Sequence, residues 1–202
     1  MQGVSYSVKK FLGPNCWSEG GPTVVGAGAG AEEEDCFHRS CLRQPRRNAL
    51  FHVAIYLAPG DYHRFHSPAE WRVGFRRHFP GELLSVNPSI AAWVRELFVL
   101  NERVAYVGEW AHGFFSMTAV GATNVGSIAV PFDASLRTNA RRRSPFLDKF
   151  FDEEVSKAKG EEFGEFNLGS TIVLIFEAPK DSQVAVEPGQ KVKVGQPLLR
   201  IE

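Results

Sequence analysis

The chain has 202 residues, enough for one domain with a substantial core. Its 23 basic and 23 acidic residues cancel, so the overall charge gives no indication of nucleic-acid binding. No stretch approaches the roughly 18 apolar residues of a transmembrane helix, and the first residues resemble neither a signal peptide nor an arginine-rich transit peptide.

The first fifty residues contain little apolar periodicity. Residues 3–12 are interpreted as a short strand or turn. Residues 14–48 combine glycine repeats with opposed charge blocks, which cannot bury enough apolar area to offset the entropy of ordering, so we predict a flexible surface insertion. Its cysteines, Cys16, Cys36 and Cys41, indicate free thiols, because the spacing Cys36-x-His38-x-x-Cys41 supplies only half of a zinc site.

A buried strand is predicted at residues 50–57, followed by Pro59-Gly60 and then His63 and His66. The sequence Ser67-Pro68-Ala69-Glu70 matches a capping box with proline at the first helical position, which predicts a short helix from Pro68. The two histidines would then lie on a turn between a strand and a helix. The alternative is a pair of solvated loop histidines. His52, His78 and His112 are interpreted as ordinary surface residues.

Residues 88–99 carry apolar side chains at helical spacing, so we predict an amphipathic helix of about three turns that packs on the core. Short strands are predicted at 103–109, 113–119 and 125–132, a spacing typical of antiparallel sheets. Residues 140–162 are highly charged and are interpreted as a second solvated connection.

The sequence from Gly164 to Thr171 leads into the apolar run 172–177, which is predicted to be a buried strand. Gly169 and Ser170 stand at its entrance. Glycine tolerates positive φ and a close approach of neighbouring groups, so the Ser170 hydroxyl could attack the Gly169 carbonyl and convert the amide into an ester. The ordinary alternative is a Gly-Ser turn before a core strand.

The last residues suggest short strands at 184–186, 191–194 and 198–201, resembling half of a biotinyl or lipoyl-type β-sandwich. Carrier modules of that type present a lysine flanked by methionine. Because the methionines are Met1 and Met117, we predict no carrier function.

Together these elements predict an α+β fold, rich in β-structure, with mostly antiparallel sheets and a few short surface helices. Its residue types support a serine nucleophile activated by a histidine base. A metal-binding hydrolase using His63 and His66 is the alternative, although no third ligand is evident.

Two segments, 166–171 and 61–68, resemble the phosphatidylserine decarboxylases, pyruvoyl enzymes that cut themselves at a Gly-Ser bond. The resemblance covers about residues 50–139 and 164–202 in the family's order, and residues 3–13 also fit. The further matching segments are Phe79-Pro80-Gly81-Glu82-Leu83-Leu84-Ser85-Val86-Asn87-Pro88, Asn101-Glu102-Arg103-Val104 and Val120-Gly121-Ala122-Thr123-Asn124-Val125-Gly126-Ser127-Ile128.

This resemblance implies a single domain over residues 1–202 that cleaves between Gly169 and Ser170. The fragments 1–169 and 170–202 would remain associated, with a pyruvoyl group derived from Ser170 at the new terminus. His66 matches the base of self-cleavage and His63 the proton handler of decarboxylation, with no metal required. The pyruvoyl group would form a Schiff base with phosphatidylserine and yield phosphatidylethanolamine.

The resemblance further implies a peripheral position at the mitochondrial inner membrane and allows a homodimer. Trp71, Phe75 and Phe79, with Arg72, Arg76 and Arg77 beside them, would form either a lipid-facing edge or ordinary packing. The family's triad aspartate belongs to a Val-Asp-Gly segment upstream of the part matching 3–13. The resemblance therefore implies an N-terminally truncated chain with impaired maturation, and an inactive, uncleaved family member is the rival interpretation.

Overall fold

The structure is a computed structural model that describes residues 6–15, 17, 31–91, 93–123, 127–140, 144–167 and 169–201. Its helices are α1 (Val8–Leu12), α2 (Ala31–Cys41), α3 (Pro88–Ala91) and α4 (Leu97–Leu100). Its strands are β1 (Asn48–Tyr56), β2 (Arg64–His66), β3 (Trp71–Phe79), β4 (Arg103–Trp110), β5 (Gly113–Val120), β6 (Ile128–Ala129), β7 (Leu147–Lys157), β8 (Glu162–Phe166), β9 (Thr171–Pro179), β10 (Gln183–Val184) and β11 (Leu199–Arg200).

Six strands form the larger sheet in the order β1-β9-β5-β4-β3-β7, and all neighbouring strands are antiparallel. Strand β9 lies between β1 and β5, and its apolar run is buried from Thr171 to Ala178. At its entrance Thr171 pairs with Tyr56 of β1 and with Val120 of β5. The β-branched and apolar composition of this run suits a strand that has neighbours on both edges.

A smaller antiparallel sheet has the order β2-β8-β6. The connections that join it to the larger sheet include residues 57–63, from β1 to β2, and the short stretch of chain from β8 to β9. The Gly-Ser motif and the two histidines therefore lie where the sheets meet.

An aromatic cluster fills the space between the sheets around Phe163, which is fully buried. Its ring centroid lies 5.6 Å from Trp71, 5.2 Å from Tyr106 and 4.9 Å from Phe132. The pair with Trp71 is stacked and the other two pairs are edge-to-face, and aromatic pairs in such arrangements stabilise a core beyond the area they bury.

The predicted α+β class with mostly antiparallel sheets is confirmed. The strands predicted at 50–57, 103–109, 113–119 and 171–177 are present as β1, β4, β5 and β9.

The helix predicted from Pro68 is wrong, because β3 begins at Trp71. The Ser67 hydroxyl donates to the Ala69 carbonyl oxygen at 2.7 Å and accepts from Trp71 Nε1 at 2.8 Å. Burial at Trp71, Val73 and Phe75 alternates along the chain as in a strand. The capping-box pattern therefore misled because core burial outweighs a local signal.

The predicted helix 88–99 is broken into α3 and α4. Glu96 adopts a left-handed conformation (φ 54°) just before α4, which prevents one continuous helix. Trp93 between the two pieces is 88% exposed, so it does not pack on the core as predicted. Residues 8–12, predicted within a strand or turn, form α1 with Ser7 as its N-cap.

Two segments predicted to be irregular contain regular structure. Residues 31–41 of the predicted flexible insertion form α2, which buries Phe37 and Cys41, while Cys16 lies outside the described residues. Cys36 and Cys41 are free thiols, and burial raises the pKa of Cys41 to about 12. The predicted connection 140–162 contains β7.

The remaining strand predictions hold only in part. Within 125–132 the described strand is β6, and residues 124–126 lie outside the described residues. The C-terminal pair β10–β11 is present, but no strand covers 191–194. None of the helices in the described ranges is long and apolar enough to cross a membrane.

Candidate active site at the Gly169–Ser170 bond

Ser170 is fully buried at the point where β9 enters the larger sheet. Its hydroxyl donates to the carbonyl oxygen of Val120, the last residue of β5. Its own carbonyl oxygen accepts a hydrogen bond of 2.7 Å from the Leu57 amide, just after β1. The serine is therefore held by the strands on both sides of β9.

Gly169 packs directly against the backbone after β1. A Cβ at this position would lie 2.4 Å from the Leu57 carbonyl oxygen and 2.8 Å from the Ala58 carbonyl carbon. The requirement for glycine at this position is therefore a close backbone approach.

His63 lies at the end of the same 57–63 connection. Its Nε2 donates to the Pro59 carbonyl oxygen at 3.0 Å, which fixes the proton on Nε2 because a carbonyl can only accept. Its Nδ1 is buried and has no hydrogen-bond partner among the described residues. In the neutral ring, Nδ1 is therefore a buried acceptor.

His66, the last residue of β2, has both ring nitrogens engaged. Nδ1 donates to the Gly160 carbonyl oxygen at 3.0 Å, and in the neutral ring Nε2 then accepts from the Tyr62 hydroxyl at 2.8 Å. The two rings are stacked with centroids 5.7 Å apart. Tyr62 therefore orients His66 in a defined tautomer.

The structure brings the Gly169–Ser170 bond and the histidine-bearing connection together through the backbone. One end of the connection is held by the Leu57–Ser170 hydrogen bond, and the other by the Phe166 amide, which donates to the His63 carbonyl oxygen at 3.0 Å. Neither imidazole is hydrogen-bonded to Ser170 Oγ. Asp61 stabilises the turn, since its carboxylate accepts from the Ala58 amide at 2.8 Å.

A cavity of about 280 Å³ is lined by residues of the loop 127–138. Asn167, three residues before Ser170, contacts this loop at Ser127. Its side-chain amide donates to Ser127 Oγ at 2.8 Å, and its backbone amide donates to the Ser127 carbonyl oxygen at 3.2 Å.

Asp133 in the cavity wall anchors that loop to the larger sheet. Its fully buried carboxylate accepts from Arg76 Nε at 3.0 Å, Lys149 Nζ at 2.8 Å and the Tyr106 hydroxyl at 3.2 Å. Burial alone would raise the pKa of Asp133, but hydrogen bonds from Lys149 and Ser135 and the charge of Arg76 lower it overall. Sequence analysis missed Asp133 because a lone aspartate in a loop carries no local signal of its partners.

The lipid-facing edge considered at residues 71–79 is wrong. Trp71 and Phe75 are each 2% exposed and Phe79 is 7% exposed, so they pack in the core. Their neighbours Arg76 and Arg77 are also buried.

His78 was predicted to be a surface residue, and that prediction is wrong too. It is 1% exposed and pairs with Glu102 at 2.8 Å. Across the described ranges no group of three or more His, Cys, Asp or Glu side chains is placed to hold a metal ion.

Comparison with known proteins identifies one family over nearly the whole chain. The family model for phosphatidylserine decarboxylase matches residues 1–200. A mitochondrial phosphatidylserine decarboxylase proenzyme of Pongo abelii is 51% identical over 98% of this chain and 49% of its own length. Proenzyme 1 of Saccharomyces cerevisiae is 50% identical over 77% of this chain and 33% of its own. The chain thus spans at most about half the length of these relatives.

Asp133→Asn should destabilise the fold at neutral pH by about 3–5 kcal/mol, because it leaves the buried Arg76 charge unpaired. The lowered pKa of Asp133 means that its stabilisation is present above the unfolded pKa near 4 and is lost as pH falls through the folded value. The difference between the two proteins should therefore shrink in urea titrations taken from about pH 7 to about pH 3.

Asp152→Asn is the matched control, since Asp152 is an exposed aspartate on β7. It should leave the urea midpoint nearly unchanged. A difference between wild type and Asp133→Asn that is the same at both pH values would contradict the electrostatic role of Asp133.

Proposed function

Because the chain belongs to the phosphatidylserine decarboxylase family, we propose that it cleaves itself between Gly169 and Ser170 and then decarboxylates phosphatidylserine to phosphatidylethanolamine. The observation that carries this proposal is the buried Ser170 hydroxyl, which directly follows a glycine pressed against the Leu57–Ala58 backbone. Such a site holds the hydroxyl next to the carbonyl that it would attack and keeps bulk water away.

Self-cleavage uses only groups of this chain and one water. Ser170 Oγ gives its proton to a base and bonds to the Gly169 carbonyl carbon; the C–N bond breaks and the nitrogen takes a proton, which leaves an ester. A base then removes the Ser170 Cα proton while the Cβ–Oγ bond breaks, so that Gly169 leaves as a carboxylate. Water hydrolyses the resulting dehydroalanine, through its imine form, to a pyruvoyl group and ammonia.

The two histidines have different surroundings, which supports different roles. His66 is the proposed base of self-cleavage; it would accept the serine proton at Nε2, the nitrogen that Tyr62 now orients. His63 is proposed to move a proton during decarboxylation, since its Nδ1 is a buried acceptor with no partner in the described part of the chain.

The surroundings of Ser170 fit a pyruvoyl group. Position 170 is buried, and the Leu57 amide already donates to its carbonyl oxygen, a contact that the cleaved chain could keep. When present, the group supplies an electron sink for the carbanion that carboxylate loss creates. The cavity of loop 127–138, which Asn167 contacts through Ser127, is proposed to receive the head group.

The proposed fragments should stay associated after cleavage. Strand β9 would belong to the fragment 170–202, whereas its two neighbours β1 and β5 belong to 1–169. Backbone hydrogen bonds along both edges and the buried side chains of β9 would hold the smaller fragment in place.

The substrate is a membrane lipid, and the segment 84–100 offers an exposed apolar surface. Leu84 is 38%, Trp93 88% and Leu100 47% exposed. Arg95 is exposed and has no ion-pair partner in the described ranges, which favours an anionic surface. Asn101 ties Leu84 of this segment to the turn after Val120, the hydrogen-bond partner of Ser170. Thr123 of that turn donates to the carbonyl oxygen of Leu83, just before the segment.

We therefore place the lipid-facing side of the protein at this surface. The relatives are named mitochondrial, and the proposal includes peripheral binding at the mitochondrial inner membrane.

Ser170→Ala should leave one unbroken chain, since no nucleophile remains at the bond. Wild type should separate into fragments whose intact masses match 1–169 and 170–202 with a pyruvoyl terminus. Ser116→Ala is the control, because Ser116 is equally buried on the adjacent strand β5. A Ser170→Ala chain that still breaks at this bond would refute the mechanism.

His66→Ala should slow self-cleavage by about 10²–10⁴-fold, the usual contribution of a general base. His63→Ala should still yield some cleaved protein that no longer releases phosphatidylethanolamine. Gels and product assays on both variants separate the two steps, with His52→Ala on the exposed side of β1 as control. Identical behaviour of the two variants in both assays would show that the roles are assigned wrongly.

Trp93→Ala should reduce the fraction of protein that floats with vesicles containing phosphatidylserine, because exposed tryptophan favours the membrane interface. Phe150→Ala is the control, since Phe150 is 60% exposed on β7 at the opposite edge of the larger sheet from β1. Equal loss of binding in the two variants, or none in either, would argue against this surface.

A further inference from the structure

Three consecutive polar residues, Asn101, Glu102 and Arg103, are almost completely buried at the start of β4, with 0%, 3% and 3% exposure. The proposed reaction uses none of them directly. Buried polar groups are costly unless hydrogen-bonded, so their partners indicate what this segment does.

Asn101 joins two separate segments with its side-chain amide. Its Oδ1 accepts from the Leu84 amide at 3.0 Å, and its Nδ2 donates to the Leu84 carbonyl oxygen at 2.8 Å and to the Gly121 carbonyl oxygen at 2.9 Å. This pattern uses the acceptor and both donors of the amide, which sets its orientation.

The backbone of Glu102 holds the same glycine from its other side. The Gly121 amide donates to the Glu102 carbonyl oxygen at 2.7 Å. A Cβ on Gly121 would lie 3.1 Å from that oxygen and 3.1 Å from Leu83 Cδ2, so a side chain here would require these neighbours to shift by a few tenths of an ångström. Both backbone groups of Gly121 are therefore held by residues 101 and 102.

Gly121 directly follows Val120, whose carbonyl oxygen accepts the hydrogen bond of the Ser170 hydroxyl. The position of that oxygen determines where Ser170 Oγ lies relative to the Gly169 carbonyl. Fixing Gly121 fixes the peptide that ends β5, and with it the acceptor for the nucleophile.

We propose that Asn101 is a positioning residue for self-cleavage, which holds the Val120–Gly121 turn so that Ser170 Oγ is aimed at the Gly169 carbonyl carbon. The inference rests on the proposed function and adds a residue that acts on the attack step alone. An error of about 1 Å in such an arrangement can cost about 10²-fold in rate.

The test is the rate of chain cleavage in freshly folded protein, followed by intact mass. Asn101→Ala removes every side-chain contact, and Asn101→Asp keeps an acceptor for the Leu84 amide but loses the amide donor to Gly121. Both should cleave about 10²-fold more slowly than wild type. If Asn101→Ala does not fold, the cleavage rate of Asn101→Asp still tests the proposal.

Glu102→Gln is the matched control. Its side chain is equally buried but contacts His78 and Asn139 rather than Gly121. Urea titrations measure how much each variant is destabilised. If Asn101 were merely structural, the cleavage rate of each of the three variants would fall in proportion to its loss of stability. We expect instead that the Asn101 variants cleave slowly even if Glu102→Gln is destabilised to the same extent and cleaves normally.

Treatment with hydroxylamine shows whether the attack step or the elimination step is slowed. Hydroxylamine attacks an ester much faster than an amide, giving a Gly169 hydroxamate and a free Ser170 amine. If attack is slowed, little ester accumulates and hydroxylamine should not break the Asn101 variants. A hydroxylamine-dependent break would place the defect in elimination and overturn the inference, as would Asn101 variants that cleave as fast as Glu102→Gln.

Different experimental outcomes would refute the proposed function and the proposed role of Asn101. A wild-type chain that never cleaves refutes the proposed function, and this inference with it. A wild type that cleaves, together with unaffected Asn101 variants, refutes only the role of Asn101.

Discussion

Hydrogen bonding of β9 along both edges, to β1 and to β5, positions the whole candidate site. The strand is buried from Thr171 to Ala178, so a shift of register by one residue would turn its apolar side chains to the opposite faces. With register fixed in this way, Ser170 must lie at the edge of the sheet between the ends of β1 and β5. The contacts of Ser170 with Leu57 and Val120 follow directly from that pairing.

The far end of β9 is secured by a buried carboxylate. Glu177 is fully buried and accepts hydrogen bonds from the Arg43 amide at 2.8 Å, the Gln44 amide at 2.7 Å, Asn48 Nδ2 at 2.9 Å and the Phe114 amide at 3.1 Å. Four N–H donors offset the cost of burying the charge. Strand β9 is thus anchored at Glu177 and at Ser170, which suits a strand that would have to stay in place under the proposed cleavage of the chain before it.

Local patterns predicted elements well where one signal dominated and failed where two competed. The apolar runs of β1 and β9 left little ambiguity. Ser67-Pro68-Ala69-Glu70 matches the pattern of a helix N-cap. In the structure, however, Trp71 is buried in the core, and the Ser67 hydroxyl accepts a hydrogen bond from its indole nitrogen. Trp93 has helical spacing, but the left-handed backbone at Glu96 ends the pattern and leaves the side chain in solvent.

By itself, the sequence determined the antiparallel β-rich class, the strand that follows Ser170 and the resemblance to one family, because periodicity and motif are properties of neighbouring residues. Only the tertiary structure decided which groups meet at the bond. Val120 lies 50 residues before Ser170, and Asn101 lies 20 before Gly121. Such contacts arise when strand pairing closes long stretches of chain, and a polar residue gives no local sign of a partner that distant pairing supplies.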